Sequence, residues 1–270
     1  MVLKRLQNII IKEWQVLFTD LNSALMITIL PLLIVGQGVL YIWLAFRFGG
    51  EEMLTTGLFR NAVENFSNVT PQIQHLTEKE QLIVFLLHQF NFFLLLIPIM
   101  VAVSVSTFSI VEEKTTGSLE ALLATPVHTW ELLLGKALSG AIPALIVTWY
   151  SAGVYLLAIN ALGWGHLIGH VTTVTWYLTL FLMTPAVTML SFMLGVIGSA
   201  KAKDAKSAQN LVIVIILPIL ALIAVQVTGV IWFTPILTAV LALVIVFVDI
   251  IVLRIAVNLF HRESILTEWH

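Results

Sequence analysis

The sequence predicts an all-α integral membrane protein with six transmembrane helices, an amino-terminal amphipathic interfacial helix and a helical hairpin on the cytoplasmic side. Three observations carry this. Of 270 residues, 59% are hydrophobic and only 10% charged, whereas a soluble domain has about a quarter of its residues charged. The uncharged residues gather in stretches 21–46, 81–111, 137–200 and 207–248, long enough for one or two crossings each at about 20 residues per crossing. The cations are also segregated: with six spans and inside termini, Lys4, Arg5, Lys12, Lys114, Lys136, Lys201, Lys203, Lys206, Arg254 and Arg262 fall on the cytoplasmic side, and only Arg47, Arg60 and Lys79 outside. That bias follows the positive-inside rule, and removing one span would split the set.

Residues 1–19 place Leu3, Leu6, Ile10, Trp14 and Leu17 at steps of three or four, with Lys4, Asn8, Lys12 and Gln15 opposite. This periodicity marks an amphipathic helix, either lying flat on the inner leaflet or capping the first span. With charges inside its apolar run and no small-residue cleavage site, it is not the pattern of a cleaved signal peptide. The first span is expected at about 21–46, followed by an acidic external loop over 47–81 able to form short helices. The second is expected at about 82–110, the third at 139–160 and the fourth at 172–199. Between the last two, GWGHLIGH at 163–170 suits a short turn. After the basic KAKDAK run at 201–206, spans at 208–227 and 233–254 are separated by turn chemistry at QVTG (226–229) and Pro235. Each span carries or abuts one proline: Pro31, Pro98, Pro143, Pro185, Pro218 and Pro235. These either reflect the general frequency of proline in membrane helices or mark kinks that flex during transport.

The segment 112–138, EEKTTGSLEALLATPVHTWELLLGKAL, divides into two short amphipathic helices. Gly117 opens the first, which sets Leu119, Leu122 and Leu123 against Glu120 and stops at Thr125-Pro126, because the residue before a proline is pushed out of the helical region. Thr129 is the expected cap of the second, with Glu131 in its first turn and Lys136 at the membrane surface. A structured, partly apolar hairpin where a tight polar turn would suffice implies a partner.

The acidic pair and lysine, Gly-Ser-Leu-Glu, the Leu-Leu pair, Thr-Pro-Val and the Glu-Leu-Leu-Leu-Gly-Lys run resemble the first cytoplasmic loop of the type 2 ATP-binding-cassette exporter permeases. Length, six spans, a flat amino-terminal helix and inside termini resemble that family too, so that 1–270 would form a single permease domain. The resemblance implies that this loop is a coupling-helix hairpin that docks on a separate ATPase subunit. Glu112, Glu113, Lys114, Gly117, Leu119, Glu120, Leu122 and Leu123 would lie at or beside the contact, with Thr125 and Pro126 ending the helix. It further implies a second permease copy or a related chain, with a homodimer favoured, location in the cell membrane, and ATP and Mg held by the partner rather than by this chain. The family's re-entrant helices between spans five and six find only Gln226 to Leu237 here, so that gate is abbreviated or made from span ends.

Other chemistry is scarce. There is no cysteine, which excludes disulfides, thiolate metal sites and cysteine nucleophiles, and the net charge of −2 suggests no nucleic-acid partner. No phosphate-binding loop, zincin motif or glycine-framed serine is present, so the chain is expected not to be an enzyme, and His166 with His170 is too little for a metal site. His88, Gln89 and Asn91 either line an exit path or hydrogen-bond between helices. Asp249 is expected to snorkel from near the inner end of the last span. An ion-coupled secondary transporter is the alternative function, but it calls for several buried acidic or histidine relays or an inverted repeat. The apolar spans, dotted with Ser, Thr, Asn and Gln, suit a hydrophobic or amphipathic cargo for efflux.

Overall fold

The computed structural model describes residues 2–19, 21–55, 57–115, 128–201, 212–227 and 232–259, and all regular structure among them is helical. Helix α1 covers Val2–Thr19, α2 Leu21–Thr55 and α3 Gly57–Val69, with a 3-10 turn at Pro71–Ile73. Helix α2 is 35 residues long, about 50 Å at 1.5 Å per residue, and so runs on past residue 46 into the segment expected as a loop. Helix α4, Glu78–Phe93, opens on a capping box: the Thr77 backbone N–H donates to Glu80 Oε2 (3.0 Å) and the Glu80 N–H to Thr77 Oγ1 (3.4 Å), satisfying donors that a helix start leaves free.

The second apolar stretch is not one smooth helix. Helix α5, Leu96–Thr115, follows α4 after a tightened turn at Leu94 and Leu95. Pro98 explains it: its missing N–H cannot serve the Leu94 carbonyl, which accepts instead from Ile97 N at 3.3 Å.

Helix α6, Thr129–Ile159, is capped by His128, one residue before the expected Thr129, because the Glu131 carboxylate reaches back to the His128 N–H at 3.3 Å. The turn expected at 163–170 is wound almost entirely into helix: a π turn at Asn160–Trp164, a 3-10 turn at Gly165–Leu167 and the short α7, Ile168–Val171. The chain bends at Gly163, φ 83°, a left-handed conformation open to a residue without Cβ.

Helix α8, Val174–Leu178, passes through a second π turn, Thr179–Met183, into α9, Thr184–Lys201. Here Pro185 sets the geometry. The Thr184 N–H already reaches back five residues to the Thr179 carbonyl, so the next bond in that register would need the N–H that Pro185 lacks. The Leu180 carbonyl accepts from Trp149 Nε1 on α6 instead, at 3.1 Å. Helix α10, Val212–Val227, and α11, Pro235–Leu259, complete the described chain. Thr234 caps α11 by accepting from the Leu237 N–H at 3.3 Å, with Pro235 at the first helical position, where no N–H is needed.

Among the described residues, five helical stretches are long and apolar enough to cross a membrane: Ile27–Gly49, Glu78–Ser106, Thr129–Val171, Val174–Ser199 and Pro235–Asn258. Helix α10 is uncharged throughout but has 16 described residues, about 24 Å, at the short limit for a crossing. Helices α5, α6 and α9 pack against one another at the centre, with α11 on α9 and both α1 and α2 on α6. The α5–α9 approach depends on a small residue: a Cβ on Gly195 would land on Ser106 Oγ and lie 3.5 Å from Val103 Cα. Small residues allow such backbone proximity where lipid offers no hydrophobic drive between helices. Leu33 on α2 and Phe247 on α11, 61% and 64% exposed, belong to outward apolar faces too extensive for a water-facing monomer.

Candidate functional site

Of the residues the sequence assigns to the ATPase contact, Gly117, Leu119, Glu120, Leu122, Leu123, Thr125 and Pro126 lie outside the described residues. Glu112, Glu113 and Lys114 are in the last turns of α5. What the structure describes is the seat of this segment, where α5 ends at Thr115 and α6 begins at Thr129.

That seat is a polar clamp joining α1, α5 and α6. Lys136 is buried between helices, 1% exposed, with its Nζ 3.0 Å from Glu13 Oε1 and 2.7 Å from Ser109 Oγ. Ser109 in turn donates to Glu13 Oε2 at 2.9 Å, so each of the three side chains touches the other two. Burial alone would raise the Glu13 carboxyl. The Lys136 ammonium, the hydrogen bonds from Lys136 and Ser109, and Lys12 outweigh it and hold the carboxyl below its ordinary 4.5. About two turns back along α1, Arg5 Nη1 lies 3.4 Å from the buried Glu131. Trp14 Nε1 donates to the Ser139 carbonyl at 2.8 Å, and Ile9 fills the space beside Gly135, where a Cβ would stand 2.9 Å from Ile9 Cγ2. The inward side of α1 therefore carries an acid as well as apolar groups. The pairing of Glu13 with Lys136 escaped the sequence reading; the signal available was an opposite charge on each of two otherwise apolar helix faces.

A second polar group lies in α4. His88, Gln89 and Asn91 are 6%, 4% and 1% exposed, and His88 Nδ1 and both amide atoms of Gln89 and Asn91 have no hydrogen-bond partner among the described residues. Gln226, at the end of α10, is likewise buried and unpaired, and α10 packs against α4. Aromatic side chains cover this region: Phe66 lies 5.4 Å from the His88 ring and 5.0 Å from Trp232, and Phe92 lies 4.5 Å from Phe233. Trp232 and Phe233 belong to the connection between α10 and α11; residues 228–231 of that connection, where the sequence expects an abbreviated gate, lie outside the described residues.

The histidines of the 163–170 turn have separate neighbours, His166 Nε2 meeting Glu80 Oε1 at 3.1 Å and the His170 ring lying 5.6 Å from His75. Asp249 lies on α11 five residues before Arg254.

The model of the ABC-2 family of transporter proteins matches residues 7–241, from α1 into α11. The chain belongs to that family. Comparison with curated proteins and with solved structures gives no match. As an ABC-2 family protein the chain is a membrane subunit of an ATP-binding-cassette transporter, a multi-pass transport component of a family whose members pair with an ATPase subunit. The clamp thus stands where the two helices flanking residues 116–127 meet the amino-terminal helix.

Proposed function

We propose that this ABC-2 family subunit is an exporter permease in which residues 112–126 dock on a separate ATPase and the Glu13–Ser109–Lys136 clamp carries the resulting movement into the spans. The clamp is the observation that supports this reading most directly. Each of its side chains comes from a different helix, two of them flanking the docking segment, so a push on that segment moves α1, α5 and α6 together.

In this reading α10 is the fifth of six spans, both termini are cytoplasmic in the cell membrane, and α1 lies along the inner leaflet. Two copies enclose the path, while ATP and Mg bind the partner ATPase. The unpaired His88, Gln89 and Asn91 amide and imidazole groups face the cargo at the outer end, and Trp232 and Phe233 close that end in place of re-entrant helices. The apolar spans select a hydrophobic or amphipathic cargo.

The test is purification of the chain in mild detergent with whatever ATPase accompanies it, followed by cargo-stimulated hydrolysis. Glu113→Lys and Glu120→Lys are expected to retain the folded permease and lose at least tenfold of the coupled rate, since a reversed charge at a docking surface opposes the fit. Full coupled activity in both variants would remove the docking assignment, and a chain that purifies alone without ATPase activity would point to ion-coupled transport.

A further inference from the structure

Between α9 and α11 runs a groove of about 310 Å³ whose walls include Ala186, Met189 and Met193 from α9 and Val246 and Leu253 from α11. That is the lower end of the size range of small-molecule sites. Asp249 also lines it. Its Oδ1 is enclosed and has no hydrogen-bond partner among the described residues. None of the other lining side chains can donate a hydrogen bond, and Pro185, also in the wall, has no N–H to offer. A carboxyl on a membrane-spanning helix, one of whose oxygens is enclosed without a partner among the described residues, is costly, and such residues mark functional sites. We propose that this groove is a binding site for a monovalent lipophilic organic cation, its charged nitrogen or phosphorus centre seated on Asp249 and its apolar body along the groove.

The surroundings select this ligand class. A metal ion needs several oxygen ligands, and the groove supplies one carboxylate. The two methionines are flexible and polarisable, suited to apolar bodies of differing shape. The groove opens sideways: Val246 and Ile250 at its rim are 40% and 50% exposed, on the apolar outer face of α11, so the ligand arrives from the acyl region. A zwitterionic lipid does not match. Going outward from the membrane centre it presents phosphate before amine, whereas α11 presents Asp249 and then Arg254, about 8 Å further along the axis. The π turn at Thr179–Met183 directly precedes Pro185 and displaces the register of α9 at the groove's end; such turns are frequent at functional sites.

The experiment uses the purified full chain in phosphatidylcholine nanodiscs, with radiolabelled tetraphenylphosphonium as the probe, and needs no ATPase, so it stands apart from the exporter reading. The expected result is saturable binding that decyltrimethylammonium displaces and decyl sulfate does not. Asp249→Asn should weaken it at least tenfold. Val246→Trp, which keeps the carboxyl and blocks the mouth of the groove, should do the same, and thermal melting and monodispersity establish that both variants are folded. Binding that does not saturate, that decyl sulfate displaces equally, or that survives either folded variant unchanged would overturn the proposal, as would no binding to the wild type.

Discussion

Lys136 is a cation with 1% exposure whose neighbours include Glu13 and Ser109, and the energetics of such a pair are asymmetric. Removing both charges is tolerable, but removing Lys136 alone takes its cation from a Glu13 carboxylate only 12% exposed, at a cost of up to about 3–5 kcal/mol. Lys136→Met should therefore destabilise the chain, and adding Glu13→Gln should recover a large part of the loss. Denaturation in detergent monitored by tryptophan fluorescence checks this; equal and additive losses would show that the charges do not interact. The same pair sets a pH dependence. The folded Glu13 carboxyl is held below its ordinary 4.5, so the unfolded chain takes up the proton more readily. The stabilisation is complete above about pH 5 and is lost as pH falls through the lowered folded value. The double variant should lack this acid-side loss.

At the scale of the element, the π turn before α9 makes a carbonyl on one helix depend on a side chain from another. Trp149→Phe leaves the Leu180 carbonyl without its donor, at an expected cost of about 1–3 kcal/mol. In a Pro185→Ala background a backbone N–H is restored at the position the register requires, so the Trp149 substitution should then cost far less. A double-mutant cycle by thermal unfolding measures the coupling; no coupling would mean that the carbonyl is satisfied some other way. This dependence shows where sequence reasoning stops. Pro185 is visible in the sequence, but a uniformly apolar tract holds no periodic signal to separate a π turn from an α turn, and nothing near residue 149 points to residue 180. The amphipathic α1 was legible because its apolar residues recur at steps of three and four. The break before α5 was not, although Pro98 causes it.

Across the whole molecule, charge distribution and hydrophobic run length were enough to read a multi-pass helical protein, and the motif at 112–136 was enough to suggest its family. Contacts such as Glu13 with Lys136, separated by 123 residues, could not be read because no local pattern encodes them. The number of crossings bears on the orientation of the entire chain. If α10 and α11 both cross, reporters inserted in the 202–211 segment and fused after residue 259 should occupy the same compartment. If α10 does not cross, they should be opposite. Cysteine accessibility is a convenient readout, since the natural chain has no cysteine.

The clamp also has a consequence in time. Lys136 is made 123 residues after Glu13, roughly 6–25 s later at 5–20 residues per second. Over that interval α1 must wait without the partner that fastens it to α6, so the clamp can close only after the intervening helices have been made.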